Sequence, residues 1–118
     1  MTSALSTQVG GSHYKKSVIQ PILLSYAVAG GDSCFTKAAK YLSREKENID
    51  SEKAYHVCLL AKELRSYPIM ESRDYTINTD LALIDAYAGQ FANKEQIAAV
   101  LVNLYKGHYK EAAALCLK

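Results

Sequence analysis

The segment Phe35-Thr36-Lys37-Ala38-Ala39-Lys40-Tyr41-Leu42-Ser43-Arg44 decides how the chain is read. Phe35, Ala38, Ala39 and Leu42 recur at steps of three and four residues. That spacing makes one apolar stripe on an α-helix and has none of the alternation of a half-buried strand. Asp32 or Ser33 stands where an N-cap belongs, ready to accept from the first free backbone N–H groups. Lys37, Lys40, Tyr41 and Arg44 fall beside the stripe, on one side of the same helix. The pattern fades in the charged run Arg44-Glu45-Lys46-Glu47-Asn48.

The same helical logic extends in both directions. Upstream, Gln20-Pro21 marks a helix start, because proline in the first turn forfeits an N–H that has no partner there anyway. The apolar run from Pro21 to about Ala29 follows, and Gly30-Gly31 stops it. Downstream, Asp50 or Ser51 is placed to cap a third helix, about Glu52 to Ser66, with Ala54, Val57, Cys58, Ala61 and Leu64 as its apolar set. Tyr67-Pro68 breaks it. Residues 68–77 read as irregular or briefly extended. A fourth helix starts at Asn78 or Thr79 and runs through Leu81, Leu83, Ile84 and Tyr87 to Phe91. Asn93 and Gln96 have capping-box spacing ahead of a fifth helix that ends at Lys106 before Gly107. His108 to Leu117 is a last short helix. No repeat of solenoid type is present. The prediction is all-α: one small compact helical domain over 1–118, with about five to six helices and the N-terminal segment laid across them as an extended strap.

Composition sets outer limits on function. With 118 residues and 49% hydrophobic content the chain can build a core, yet a domain of this size buries only about two-thirds of its unfolded surface. Self-association as a homo-oligomer is therefore expected, with Tyr87, Tyr105 and Tyr109 read first as core and second as interface. Fourteen basic and twelve acidic residues leave a net charge of +2, too balanced for the footprint of a nucleic-acid-binding protein. No run approaches the ~20 apolar residues of a membrane span, and Met1-Thr2-Ser3-Ala4-Leu5-Ser6-Thr7 lacks the pattern of a signal peptide. A cytoplasmic protein without membrane contact is expected. Cys34, Cys58 and Cys116 are odd in number and lack C-x-x-C spacing, so they read as buried free thiols of a reducing compartment. His13, His56 and His108 have no metal-ligand spacing, and His56 reads as a partly buried structural histidine. Asp32, Asp50, Asp74, Asp80 and Asp85 could each hold Mg²⁺ beside a nucleotide, and nothing in their spacing selects one.

Two groups of residues carry chemistry. Gly10-Gly11-Ser12-His13-Tyr14-Lys15-Lys16 has the parts of an anion site: glycines that let backbone N–H groups approach closely, donors at Ser12 and His13, and charge at Lys15 and Lys16. It is not a Walker A sequence. The second group is Lys37, Lys40, Tyr41 and Arg44. Its cations repel one another unless an anion or carboxylates, Glu47 or Asp50 among them, neutralise them. If the second and third helices form an antiparallel hairpin, Lys53 joins them and the positive pocket deepens.

Gln8-Val9-Gly10-Gly11-Ser12-His13-Tyr14-Lys15-Lys16, with Ile19-Gln20-Pro21-Ile22 after it, resembles the SaV-like family of small phage domains, often labelled nucleotide kinases. Thr36 to Arg44 and Ile49-Asp50-Ser51-Glu52-Lys53-Ala54 stand where that family has its Gly-Asn-x-Ile-Lys-Tyr-x-x-Arg and Glu-Asp-Leu-x-Lys-Ala segments. The resemblance covers roughly residues 7–66; residues 67–118 form an extension of this chain's own. It implies a phage protein in the cytoplasm of a bacterial host that binds a (deoxy)nucleotide through Gly10, Gly11, Ser12, His13, Tyr14, Lys15, Lys40, Tyr41, Arg44 and Lys53. Two activities fit. One is a nucleoside monophosphate kinase without a P-loop, using ATP with Mg²⁺ and with no catalytic residue identified. The other is a non-enzymatic counter-defence protein that sequesters a nucleotide signal or inhibits a host protein. The family Gly-Asn is Thr36-Lys37 here, which favours the second.

Overall fold

The computed structural model describes residues 19–44 and 48–118. Over these residues it is all-α, with six α-helices, one short 3-10 turn and no strand. The helices are α1 (Pro21–Ala29), α2 (Ser33–Ser43), α3 (Asn48–Leu64), α4 (Ile77–Ala88), α5 (Lys94–Lys106) and α6 (Tyr109–Cys116), with the 3-10 turn at Ile69–Ser72.

Helix α5 is the centre. Ile97, Val100, Leu101, Leu104 and Tyr105 are all buried, and α2, α4, α6 and the 3-10 turn pack against it. The α2 stripe behaves as its spacing requires: Phe35, Ala38, Ala39 and Leu42 are buried, facing Ala54, Val57, Cys58 and Ala61 of α3 in one core. Tyr87 and Tyr105 have no exposed surface, so these two tyrosines are core, the first of the two readings. Tyr87 anchors its hydroxyl by donating to the Ala39 carbonyl at 3.2 Å. No described helix is long and apolar enough to cross a membrane.

Local chemistry sets the ends of the elements. Asp32 caps α2, its carboxylate accepting from the Phe35 N–H at 2.9 Å, and the same side chain forms an ion pair with Arg65 beyond the end of α3. Gly30 ends α1 in the left-handed region, φ 62°, a conformation that favours glycine. Residues 1–18, which hold most of the expected strap, lie outside the described residues. The first described residue is tied down: the Gln90 side chain accepts from the Ile19 N–H at 2.8 Å and donates to its carbonyl at 3.0 Å.

Three local expectations are corrected and one open alternative is decided. Helix α3 begins at Asn48, so Asp50 lies in its first turn instead of capping it. Residues 68–77 take the irregular of their two readings, and Ile69–Ser72 winds into a 3-10 turn that buries Ile69. Helix α4 stops at Ala88, with Gly89 as its C-cap, and Phe91 lies beyond it, its ring edge-on to Tyr87 at 5.2 Å. The capping box before α5 does not form, because both side chains find tertiary acceptors. Asn93 donates to the Leu42 carbonyl at 3.0 Å, and Gln96 donates to the carbonyls of Leu115 and Cys116 at 3.0 and 3.3 Å.

Candidate functional site

The connection between α2 and α3 is short, and the two helices pack along their lengths. Arg44 meets Asp50 at 3.6 Å, while Lys53 lies over the Tyr41 ring at 5.6 Å. A step back along α2 is thus matched by a step forward along α3, which is the register of an antiparallel hairpin. The Arg44 guanidinium lies over the same ring at 5.4 Å. One tyrosine therefore has two cations over its ring, each within the ~6 Å at which the ring quadrupole attracts a positive charge.

This arrangement follows from sequence spacing. Tyr41 and Arg44 are three residues apart on α2, so they project from neighbouring positions on one side. Asp50 and Lys53 repeat that step on α3. The apolar stripes seal the hairpin from inside and leave these four groups at the end where α2 stops and α3 begins. Asp50 is mostly covered (side chain 11% exposed) and Arg44 is about one-third exposed. Neutralisation of Arg44 by a carboxylate, one of the two possibilities open in the sequence, is realised through Asp50. At 3.6 Å the pair is long, and an ion pair this open to water contributes little, about 0–1 kcal/mol. Among the described residues no carboxylate pairs with Lys53.

Of the predicted site residues, Tyr41, Arg44 and Lys53 come together. Lys40 is exposed, without a side-chain hydrogen bond or ion pair among the described residues. Gly10, Gly11, Ser12, His13, Tyr14 and Lys15 lie outside the described residues. His56 is exposed, not partly buried. It sits one helical turn past Lys53 on α3, with its ring edge-on to Tyr55 at 5.3 Å. Tyr55 takes the half-buried position and leaves the imidazole in solvent.

Among the five candidate aspartates, three are occupied. Asp32 pairs with Arg65 and Asp50 with Arg44. Asp80 is 1% exposed and sits in a network that nothing in the sequence indicated. Arg73 grips both of its oxygens, at 2.9 and 3.1 Å. The Thr76 hydroxyl donates at 3.1 Å and the Tyr105 hydroxyl also donates to it. Arg73 donates onward to the Ala27 carbonyl of α1 at 2.6 Å. Burial alone would raise the Asp80 pKa, but the hydrogen bonds from Arg73, Tyr105 and Thr76 outweigh it and hold the carboxyl below its ordinary value. Burial, and then the bond to Asp80, pushes the Tyr105 hydroxyl up. Every partner is satisfied, and the network joins α1, α4 and α5 as a structural clamp.

Two clefts adjoin the α2–α3 end of the molecule without being lined by its cations. One, of about 520 Å³, runs along the N-terminus of α5 past Asn93, Gln96 and Leu115. The other, of about 390 Å³, is bordered by Ser51 and Glu52 of α3 and by Cys116. Among the described residues no three His, Cys, Asp or Glu side chains gather in the manner of a metal site. Compared with family models, with characterised proteins and with solved structures, the chain matches none.

Proposed function

We propose that this protein binds a phosphorylated nucleoside at the end of the α2–α3 hairpin where α2 stops and α3 begins. The observation that carries the reading is the pair of cations, Arg44 and Lys53, held over the ring of Tyr41 with, among the described residues, one long ion pair, from Arg44 to Asp50. A phosphate is the ligand chemistry that relieves two neighbouring cations. Arg44 would grip it through its planar fork and Lys53 as a point charge. The donors of Gly10-Gly11-Ser12-His13-Tyr14-Lys15 would supply further phosphate contacts, as the family resemblance implies. Asp50, the carboxylate beside the cations, is already paired, so Mg²⁺ would enter on the phosphates of ATP.

Thermal shift across deoxynucleoside monophosphates and ATP, with and without Mg²⁺, tests this. A ligand at about 100 times its Kd should stabilise the fold by ~2.7 kcal/mol. Arg44→Ala and Lys53→Ala should each abolish the shift, while Lys110→Ala, an exposed cation on α6, should keep it. If no nucleotide raises Tm, or the shift survives the loss of both cations, the reading is wrong. The same mixtures separate the two activities. A nucleoside diphosphate formed from ATP and a monophosphate is kinase turnover, and a ligand recovered unchanged is sequestration.

A further inference from the structure

Cys58 lies on the inner face of α3 and Cys116 is the last residue of α6, and the two helices pack closely. Their sulfur atoms are 3.8 Å apart, and the residues are 0% and 1% exposed. Cys116 is also 3.4 Å from the Ala112 carbonyl, one helical turn back. With the Cys116 thiol donating to that carbonyl, the Cys58 thiol is left to donate to the Cys116 sulfur. That bond, together with burial, keeps Cys58 protonated well above the ordinary thiol range, and accepting it lowers Cys116 in spite of burial. Cys116 also borders the 390 Å³ cleft with Ser51, Glu52, Gln96, Leu117 and Lys118. Cys58 is not among the residues that border this cleft.

We propose that Cys58 and Cys116 are a reversible disulfide-forming pair that locks α6 onto α3 when the protein meets a peroxide. The Cys116 thiolate attacks one oxygen of hydrogen peroxide, the O–O bond breaks, and hydroxide leaves with sulfenic acid on Cys116. The Cys58 sulfur then attacks the sulfenic sulfur. An S–S bond forms, the S–O bond breaks, and hydroxide departs with the Cys58 proton as water. Overall two thiols are oxidised and one peroxide is reduced to two waters. A disulfide needs its sulfur atoms at about 2 Å, so each side chain rotates and α6 moves slightly toward α3. External dithiol reverses the reaction by exchange. Helix α3 also carries Asp50 and Lys53, so the lock bears on the helix that presents half of the cation cluster.

The experiment treats the full chain with hydrogen peroxide and reads intact mass, thiol alkylation after denaturation, and a non-reducing peptide map. The expected product is lighter by two hydrogen atoms, has residues 58 and 116 joined, leaves Cys34 free to alkylate, and reverts with dithiothreitol. Closing a loop this long should raise Tm by roughly 10 °C or more. Cys58→Ala and Cys116→Ala should each lose the product, while Cys34→Ala keeps it. Oxygen addition without a cross-link, or a link that includes Cys34, would overturn the proposal. The wild-type peptide map decides the matter even if an alanine variant fails to fold.

Discussion

Replacing Asp80 by Ala should lower the free energy of unfolding by about 3–5 kcal/mol, the cost of breaking a buried ion pair from one side. The substitution strands the Arg73 guanidinium, which is only one-quarter exposed, and leaves the hydroxyl of fully buried Tyr105 without its acceptor. It also frees Arg73 from the geometry that holds it on the Ala27 carbonyl. Urea denaturation would show the midpoint falling with an unchanged slope. Asp85→Ala, an exposed change on the same helix, should stay within ~0.5 kcal/mol of the parent. A loss below 1 kcal/mol at Asp80 would mean that the clamp is not a clamp. The network also predicts an acid limb. A carboxyl held below its ordinary value of 3.8 contributes fully above that value and loses its contribution as pH falls through the lower folded one. The parent should lose stability over that window, and Asp80→Ala should be flatter there.

The fold was legible wherever one face of one helix was enough to read it. The α2 stripe shows this: Phe35, Ala38, Ala39 and Leu42 point inward because a 3.6-residue period leaves them no other common direction, and all four are buried. The errors sit where a side chain had a choice of partners. Asn93 and Gln96 have the spacing of a capping box, but the carbonyls of Leu42, Leu115 and Cys116 come within reach only after α2 and α6 have packed against α5. Local rules assign a capping role only when no distant acceptor competes.

The same distinction divides the sites. Tyr41, Arg44, Asp50 and Lys53 lie on or at the ends of two helices adjacent in sequence, so antiparallel packing of those helices brings them together from spacing alone. The Asp80 clamp draws on residues 27, 73, 76 and 105, from two helices, a helix cap and a turn. Residues 27 and 105 lie far in the chain from 73, 76 and 80, and five aspartates are equivalent candidates in the sequence. The cysteine pair was hidden in the same way. Cys58 and Cys116 are 58 positions apart, and each taken alone reads as a small apolar core residue.

Gly107→Ala should cost about 2–5 kcal/mol, from two separable causes. Gly107 ends α5 with φ 85°, and its turn lets the His108 N–H donate to the Asn103 carbonyl at 2.8 Å. An alanine held in this left-handed conformation costs ~1–2 kcal/mol. In addition, a Cβ at this position would lie 2.6 Å from Pro68 Cγ and 2.9 Å from Pro68 Cβ. Neither atom can retreat far, since the proline ring is closed and Pro68 leads directly into the 3-10 turn. Crowding of this kind costs a further ~1–3 kcal/mol. A double-mutant cycle divides the total. In a Pro68→Gly background the crowding disappears and only the backbone cost remains, so Gly107→Ala should cost at least 1 kcal/mol less than in the parent. Equal costs in the two backgrounds would show that the end of α5 does not rest on Pro68. A near-zero cost in both would remove the left-handed turn as well. The sequence marks Gly107 as a helix stop; the contact with Pro68 makes it also the point where the end of α5 rests on the residue that leads into the 3-10 turn.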